Sequence, residues 1–259
     1  MLKNNSLSVV LAVFNEEKNI GACLDSVKNI ADEIVVVDGA STDNTVEIAK
    51  KYGAKVVVTT NPPIFHINKQ KAVDRAKGTW ILQMDADEIV NRELAKEIID
   101  IVAGKEAKNG YYLARKNYFI DQWMKKGGMY PDYVIRLFRR EKGKFPAKSV
   151  HEQIAIEGEV GYLVNPLIHR PYPTFGEYLR KANTYTSLTR DELIRTKLPI
   201  NFITIIQYLF YYPLRTFVTL YIRHQGITDG WWGFVWSLFS GLHFPWAFVK
   251  YLQYNSNKV

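Results

Sequence analysis

Residues 80–88 have the sequence WILQMDADE, in which an apolar run of strand length is followed at once by acids. The run predicts a buried strand that ends at Asp85. Residues two apart in extended backbone point the same way, so Asp85 and Asp87 place two carboxylates on one side of the strand end. Close carboxylates repel unless a cation separates them or one is protonated, and Mg²⁺ or Mn²⁺ suits such oxygen ligands. The alternative is an acidic turn that caps a helix over 91–104.

Strand and helix patterns alternate upstream of this stretch. Apolar runs predict three further strands, at 7–13, 33–37 and 55–59. Helical periodicity follows each of them, so the chain predicts an α/β fold with a doubly wound, mainly parallel sheet flanked by helices. Ligands of such sheets bind beyond the carboxyl ends of the strands. This rule indicates the loops that start at Phe14, Asp38 and Asp85.

Two further groups at this predicted edge have two interpretations each. Asp38 ends the second strand, where it either forms a turn before Gly39 or accepts hydrogen bonds from a base or ribose. Lys69, Lys71 and Arg75 lie on the short helix before the fourth strand. They form either a solvated helix face or the positive charge for a diphosphate. Residues two apart do not share a helix face, so at most one of the two lysines reaches the phosphates.

The pattern changes after residue 105. Strands are predicted at 111–118, 134–138 and 162–168, and a basic helix at 174–195. We therefore divide the chain into three parts. These are a nucleotide-sugar-binding half (1–105), an acceptor-side half of the same domain (106–173) and a basic, aromatic-rich helical extension (174–259).

Composition and charge limit the protein class. The chain has 259 residues, and its 47% apolar and 23% charged content excludes disorder, collagen and coiled coil as descriptions of the whole. The single cysteine, Cys23, excludes an internal disulfide and fits a reducing compartment. The apolar run near the start is too short and lacks a cleavage pattern, so we expect no secretory signal. Of the net charge of +8, residues 160–259 carry 10 basic and 4 acidic side chains.

The C-terminal region combines this basic surplus with aromatic residues. Residues 198–214 and 231–249 carry no charge, and four of the six tryptophans follow position 230 (Trp231, Trp232, Trp236 and Trp246). Such a composition is typical of contact with nucleic acid or an anionic membrane surface, of which we expect the membrane. We predict a monotopic anchor on the inner leaflet, with core helices or a spanning two-helix hairpin as alternatives.

Three ordered motifs together resemble a known family. LAVFNEEKNI, VVVDGASTDNT and NKQKAVDRAKGTWILQMDADE look like the nucleotide-binding half of inverting glycosyltransferases of family 2, whose fold is the Rossmann-like GT-A type. Phe14 replaces the usual Tyr, and Ala40 extends the usual D-G-S-T-D loop. Downstream segments at 136–139, 149–152 and 226–234 resemble the subgroup of lipopolysaccharide-core β-1,4-glucosyltransferases.

The resemblance implies a role for each matching residue. The nucleotide would be bound by Ala12, Val13, Phe14, Glu16, Asp38, Lys69, Arg75, Asp85 and Ala86. A divalent cation, Mn²⁺ or Mg²⁺, would be held by Asp85, Asp87 and His169. Glu152 would be the general base on the acceptor hydroxyl, with His151 as the alternative base or a further ligand.

The resemblance also implies the reaction and the partners. The enzyme would transfer a sugar, with UDP-glucose as the guessed donor, to a lipopolysaccharide-core or lipid-linked glycan acceptor at the cytoplasmic face of the cell membrane. The oligomeric state is left open. One alternative is a nucleotidyltransferase that makes a nucleotide sugar, although residues 14–17 lack the glycine-rich phosphate loop that it would need. The other is a non-catalytic, membrane-bound sugar-binding module.

Overall fold

The computed structural model describes residues 5–62, 65–104, 108–146 and 153–256. The chain forms two compact units. The first comprises Met1–Arg115 and Asp132–His169, and the second comprises Lys116–Pro131 and Arg170–Val259.

The strands are, in chain order, β1 Leu7–Val13, β2 Glu33–Asp38, β3 Lys55–Val58, β4 Trp80–Met84, β5 Glu88–Ile89, β6 Gly110–Phe119, β7 Gln122–Trp123, β8 Asp132–Arg139, β9 Gly143–Lys144, β10 Ala155–Ile156, β11 Val160–Tyr162 and β12 Leu167–Tyr172. The main sheet has the order β3-β2-β1-β4-β8-β6-β12-β5. Strands β3, β2, β1 and β4 are mutually parallel, whereas β8 is antiparallel to both β4 and β6. This mixed sheet, mainly parallel and flanked by helices, confirms the predicted fold class.

The helices of the first unit are α1 Ile20–Val27, α2 Thr45–Lys51, α3 His66–Arg75 and α4 Arg92–Ala103. They cover both faces of the parallel strands, which explains the continuous apolar runs. Leu82 and Met84 lie in the core on the side of α1 and α4, while Ile81 lies with residues of α3 in the core on the other side. Because β4 is buried on both faces, its position in the sheet is fixed. The position of the acidic residues that directly follow β4, Asp85 and Asp87, is therefore fixed as well.

The strand predicted at 162–168 is wrong, because the structure has two strands there. β11 runs parallel to β6, and β12 is antiparallel to β5. Between them, the carboxylate of Glu97 accepts from the backbone N–H of Val164 at 2.8 Å and of Asn165 at 2.9 Å. Pro166 lacks an N–H and favours a break in the ladder. The chain therefore pairs with β6 before this break and with β5 after it, although the stretch is apolar throughout.

The second unit contains β7 and the ends of β6 and β12, and the rest of its regular structure is helical. Its helical elements are α5 Phe175–Arg195, α6 Phe202–Ile206, a π-helical turn Gln207–Tyr211, α7 Tyr212–Val218, a second π-helical turn Thr219–Arg223, a 3₁₀ turn Gly226–Asp229 and α8 Gly230–Ser256. Residues 202–223 thus form one continuous helical rod. The predicted basic helix is present as α5, capped by Thr174, whose hydroxyl accepts from the N–H of Glu177 at 3.2 Å.

Aromatic side chains form much of the core of this unit. Phe119 is fully buried, and its ring centroid lies 5.6 Å from those of both Trp232 and Trp236. These two half-buried tryptophans therefore contribute to the packed core of this unit, and the membrane contact predicted for them stays a prediction. Trp231, in contrast, is exposed.

None of the helices in the described residues combines the length and the apolar character needed to cross a membrane.

Candidate active site

The predicted functional loops converge at one edge of the sheet in the first unit. Strand β1 lies between β2 and β4, and all three run in the same direction. Their carboxyl ends, and the loops that follow, are therefore neighbours.

The loops after β1 and β2 are locked together by hydrogen bonds. The N–H of Asn15 donates to the Ser41 hydroxyl, the N–H of Thr42 to the Asn15 side-chain oxygen, and the N–H of Glu16 to the Thr45 hydroxyl, each at 2.8 Å. Asn15 has a left-handed backbone with φ 54°, which asparagine tolerates better than most residues. The edge is therefore a preformed surface.

Asp38 has the turn-forming geometry. Its side chain is fully buried, and its two carboxylate oxygens accept from the N–H of Ser41 at 2.8 Å and from its hydroxyl at 2.5 Å. Ala40, inside this turn, has φ 65°, a left-handed conformation that costs an L-residue about 1–2 kcal/mol. The additional residue in the D-G-A-S-T-D loop is thus accommodated with backbone strain.

Asp85 is held by two buried cations. Its Oδ1 lies 2.6 Å from the Lys69 Nζ, and its Oδ2 lies 2.5 Å from an Nη of Arg136. Burial opposes ionisation of Asp85, but the charges of Arg136 and Lys69 outweigh it and hold the pKa of Asp85 well below its ordinary value. Burial lowers the pKa of Lys69, and the charge of Asp85 opposes that shift. Asp85 is therefore an ionised carboxylate inside a salt-bridge network.

Glu88 completes this network from strand β5. It is fully buried, its Oε1 lies 2.6 Å from an Nη of Arg136, and its Oε2 accepts from the N–H of Asp85 at 2.9 Å. Arg136 also donates to the side-chain oxygen of Gln83. Two positive and two negative side chains therefore balance one another under the acidic loop.

The helix-capping alternative for these acids is not what the structure shows. The N-cap of α4 is Asn91, whose side-chain oxygen accepts from the N–H of Leu94 at 2.8 Å. Asp85 and Asp87 therefore do not cap α4.

Asp87 lies beside His169, and the family resemblance implies both residues as metal ligands. The antiparallel register of β5 and β12 pairs Glu88 with His169. This register places the His169 Nε2 3.5 Å from the Asp87 Oδ1, and both side chains are mostly buried. Within the described residues, no group of three or more acid, histidine or cysteine side chains forms a metal-binding cluster. The pair could supply two ligands to a cation whose remaining ligands come from elsewhere.

Of the predicted phosphate-binding cations, the structure brings one to the acidic loop. Lys69 contacts Asp85. Lys71 donates to the Thr59 hydroxyl at 3.0 Å, and the exposed Arg75 donates to the Lys71 carbonyl, also at 3.0 Å. The structure does not bring Arg75 to Asp85.

The remaining predicted residues have varied positions. Ala12 and Val13 end β1, Phe14 is exposed at the edge, Glu16 is half-buried in the locked loop, and Ala86 is buried between the two aspartates. The predicted base residues, His151 and Glu152, lie outside the described residues.

Glu88 had no predicted function, and Arg136 belonged only to a segment that resembles the family. A signal for Arg136 existed, because it is a cation within the apolar strand sequence VIRLF. A buried charge needs a partner, so its presence indicates a carboxylate on a neighbouring strand.

The profile of Glycosyl transferase family 2 matches residues 8–150, more than half of the chain, and the chain belongs to this family. It is therefore a glycosyltransferase with a GT-A fold. Family membership favours the glycosyltransferase over the two alternative functions, a nucleotidyltransferase and a non-catalytic sugar-binding module.

Two relatives match over most of their length. A lipopolysaccharide core biosynthesis glycosyltransferase of Rhizobium meliloti, LpsC, is 29% identical in an alignment of 241 positions that covers 91% of this chain and 87% of the relative. An uncharacterized glycosyltransferase of Rickettsia typhi is 31% identical in an alignment of 201 positions that covers 73% of this chain and 68% of the relative.

Solved structures are more distant. Glucosyl-3-phosphoglycerate synthase from Mycobacterium tuberculosis, solved with Mn²⁺, UDP and glucosyl-3-phosphoglycerate, has a TM-score of 0.47 and 18% identity, covering 76% of this chain and 82% of that one. TarS from S. aureus has a TM-score of 0.49 and 19% identity, and the match covers 71% of this chain and 39% of TarS. Likeness at this level carries no conclusion about ligands.

Proposed function

We propose that this glycosyltransferase moves a sugar, with inversion, from a nucleotide-sugar donor to a lipopolysaccharide-core or lipid-linked glycan acceptor. UDP-glucose is the proposed donor. The observation that carries the proposal is the pair Asp87 and His169, held 3.5 Å apart at the edge where the acidic loop follows β4.

The two side chains fit a divalent cation. A carboxylate and an imidazole suit Mn²⁺, and cations of this kind complete their shells with water and substrate phosphates. Two protein ligands are therefore sufficient if the donor diphosphate supplies others. When bound, the cation supplies positive charge that stabilises the departing diphosphate.

Asp85 then has a positioning role. Because Lys69 and Arg136 already neutralise Asp85 and Glu88, we propose that this network fixes the loop and gives Asp87 a single position. The charge of Lys69 is balanced locally, which argues against Lys69 as the main counter-charge of the diphosphate.

The donor nucleoside is proposed to lie over the locked loops after β1 and β2. The exposed ring of Phe14 offers a face for stacking of a base. Asp38 is buried and bound to Ser41, so its proposed contribution is to hold the turn. Direct contact between Asp38 and the nucleoside would need a rearrangement of that turn.

The acceptor chemistry rests on family resemblance. Glu152, or His151 beside it, would remove the proton from the acceptor hydroxyl, whose oxygen attacks the anomeric carbon opposite the diphosphate. The relation to LpsC supports a lipopolysaccharide-core acceptor. An acceptor of this kind is attached to lipid, so we also propose that the enzyme is peripheral on the inner face of the cell membrane.

Binding of UDP, measured by calorimetry with and without Mn²⁺, tests the proposal. Asp87→Asn and His169→Ala should each remove the Mn²⁺-dependent part of the affinity. Asp100→Asn, the same chemical change at an exposed site on α4, should leave it intact. If Asp87→Asn binds UDP with unchanged Mn²⁺ dependence, the metal assignment is wrong.

A further inference from the structure

The helical rod over residues 202–223 carries an exposed apolar row with a strict four-residue repeat. We call it the outer row: Phe202, Ile206, Phe210, Leu214, Val218 and Ile222. All six side chains are between 40% and 77% exposed. A row of large apolar side chains in water is costly, and contiguous exposure of this kind marks a binding surface.

The two π-helical turns keep this row on one side of the rod. In a regular α-helix with 3.6 residues per turn, each four-residue step rotates the row by about 40°, so it would circle to the opposite side along the rod. A π-helical turn is wider and rotates the row back. The i→i+5 bonds are present, from the N–H of Tyr212 to the Gln207 carbonyl and from the N–H of His224 to the Thr219 carbonyl at 2.8 Å.

Ring contacts to α8, on the side of the rod opposite the outer row, fix the rotation of the rod about its own axis. The ring of Tyr208 stacks on Phe248 with centroids 4.9 Å apart, and Tyr212 lies 5.4 Å from Phe244. Further along, Phe217 lies 5.8 Å from Phe234. Because these contacts to α8 set the orientation, the outer row faces away from the helix that the rod packs against.

Exposed basic side chains flank the outer row at two positions. Arg215 and Arg223 are exposed and each follows a row residue directly, so both lie on the same flank. Asp229 is the single acid after position 192. It is buried, and its carboxylate accepts from the N–H groups of Lys125 at 3.1 Å and Lys126 at 2.8 Å.

We propose that the outer row lies in the plane of an anionic lipid bilayer, with Arg215 and Arg223 at the phosphate head groups. An apolar face of this kind enters the boundary of head groups and acyl chains to a depth of about 5–10 Å. Long basic side chains on its flank reach the head groups. This inference deepens the peripheral membrane location proposed above and rests on it.

Charge selects the bilayer over a second copy of this chain. A symmetric pair would bring the same patch of both copies together. Each Arg215 and Arg223 would then meet like charges. The exposed acids at the end of α5, Asp191 and Glu192, lie within ion-pair distance of Arg190 and Arg195. An anionic surface offsets these charges, and basic residues near it contribute favourably.

Co-sedimentation with vesicles tests the surface without donor or acceptor. The double variant Phe210→Ser and Leu214→Ser should lose about tenfold or more in partitioning onto phosphatidylcholine vesicles that contain phosphatidylglycerol. The matched control is Val58→Ser with Val164→Ser, two residues of the first unit that are 59% and 86% exposed, and it should bind as the wild type does.

A second variant separates charge from burial. Arg215→Glu with Arg223→Glu should weaken binding to phosphatidylglycerol-containing vesicles and leave any binding to pure phosphatidylcholine vesicles unchanged. Raising the salt from 0.1 to 1 M shortens the Debye length from about 10 Å to about 3 Å and should reduce the binding that these arginines contribute.

Three results would overturn the inference. If the wild type ignores both kinds of vesicle, the membrane location itself is wrong. If it binds but the serine variant binds equally, another surface is responsible. If sedimentation without lipid shows self-association that the serine variant abolishes, the row pairs two copies. The catalytic proposal is tested separately by UDP binding, so its failure is distinguishable from each of these.

Discussion

Replacing Asp85 by Asn should destabilise the first unit strongly, although the two side chains have nearly the same shape. The carboxylate lies 2.6 Å from the Lys69 Nζ and 2.5 Å from an Nη of Arg136. An amide keeps one acceptor oxygen but removes the negative charge. Two buried cations would then share the single carboxylate of Glu88.

The expected loss is about 3 kcal/mol of unfolding free energy. Removing one partner of a buried ion pair costs about 3–5 kcal/mol, because the other charge stays buried without compensation. The side chains of Lys69 and Arg136 are only 8% and 7% exposed, whereas that of Asp85 is 29% exposed. Water can therefore replace part of the lost interaction, which favours the low end of the range.

Urea unfolding followed by circular dichroism measures the loss. Asp100→Asn is the control, and as an exposed change it should stay within about 0.5 kcal/mol of the wild type. Lys69→Met in the Asp85→Asn background should recover part of the loss, because it removes one of the uncompensated cations. A double-mutant cycle gives the coupling directly.

The effect should depend on pH in a definite direction. The pKa of Asp85 is held well below its ordinary value, so its contribution to stability is present above the unfolded pKa of about 3.9. It is lost as the pH falls below that value towards the folded pKa. The stability difference between wild type and variant should thus be constant at neutral pH and shrink below about pH 4.

Equal stability of Asp85→Asn and Asp100→Asn at neutral pH would contradict a stabilising role of the Asp85 charge. A loss that Lys69→Met does not reduce would instead indicate a shape effect, and the electrostatic account of the network would be wrong.

Three further changes have expected outcomes. Ala40→Gly should raise the unfolding free energy by up to about 1 kcal/mol in urea unfolding, because φ 65° suits glycine; a decrease would contradict the strain. Gly241→Ala would place a methyl group 2.7 Å from the Pro213 carbonyl oxygen and should lower the melting temperature. Gly176→Ala, with 3.9 Å of clearance, is its control. Glu152→Gln should leave UDP binding intact and cut turnover by about 10²–10⁴, whereas a loss below tenfold would place the base elsewhere.

The position of the candidate site at this edge of the sheet could be predicted from local sequence. Strands buried on both faces have continuous apolar runs, and the polar loops that follow them are visible at Phe14, Asp38 and Asp85. For Asp38 the sequence left two interpretations open. Only the buried side chain, with both oxygens bound to Ser41, established the turn-forming contact.

The pairings inside that edge could not be predicted. Arg136 and Asp85 are 51 residues apart, and their contact depends on β8 lying against β4. His169 reaches Asp87 because β12 turns away from the predicted single strand and pairs with β5. Neither pairing leaves a periodic signal, because strand neighbours are chosen by packing of the whole sheet.

The rod over residues 202–223 shows most clearly what the sequence determines and what the tertiary structure decides. Its four-residue apolar repeat is a property of the sequence, since every member can be read from the chain. A regular helix would nevertheless spread these residues around its circumference. Two π-helical turns and the ring contacts to α8 gather them on one exposed side. Composition and periodicity are local properties that a sequence determines by itself. The direction in which a helix face points, and whether that face is buried, are decided by the tertiary contacts that hold the helix in place.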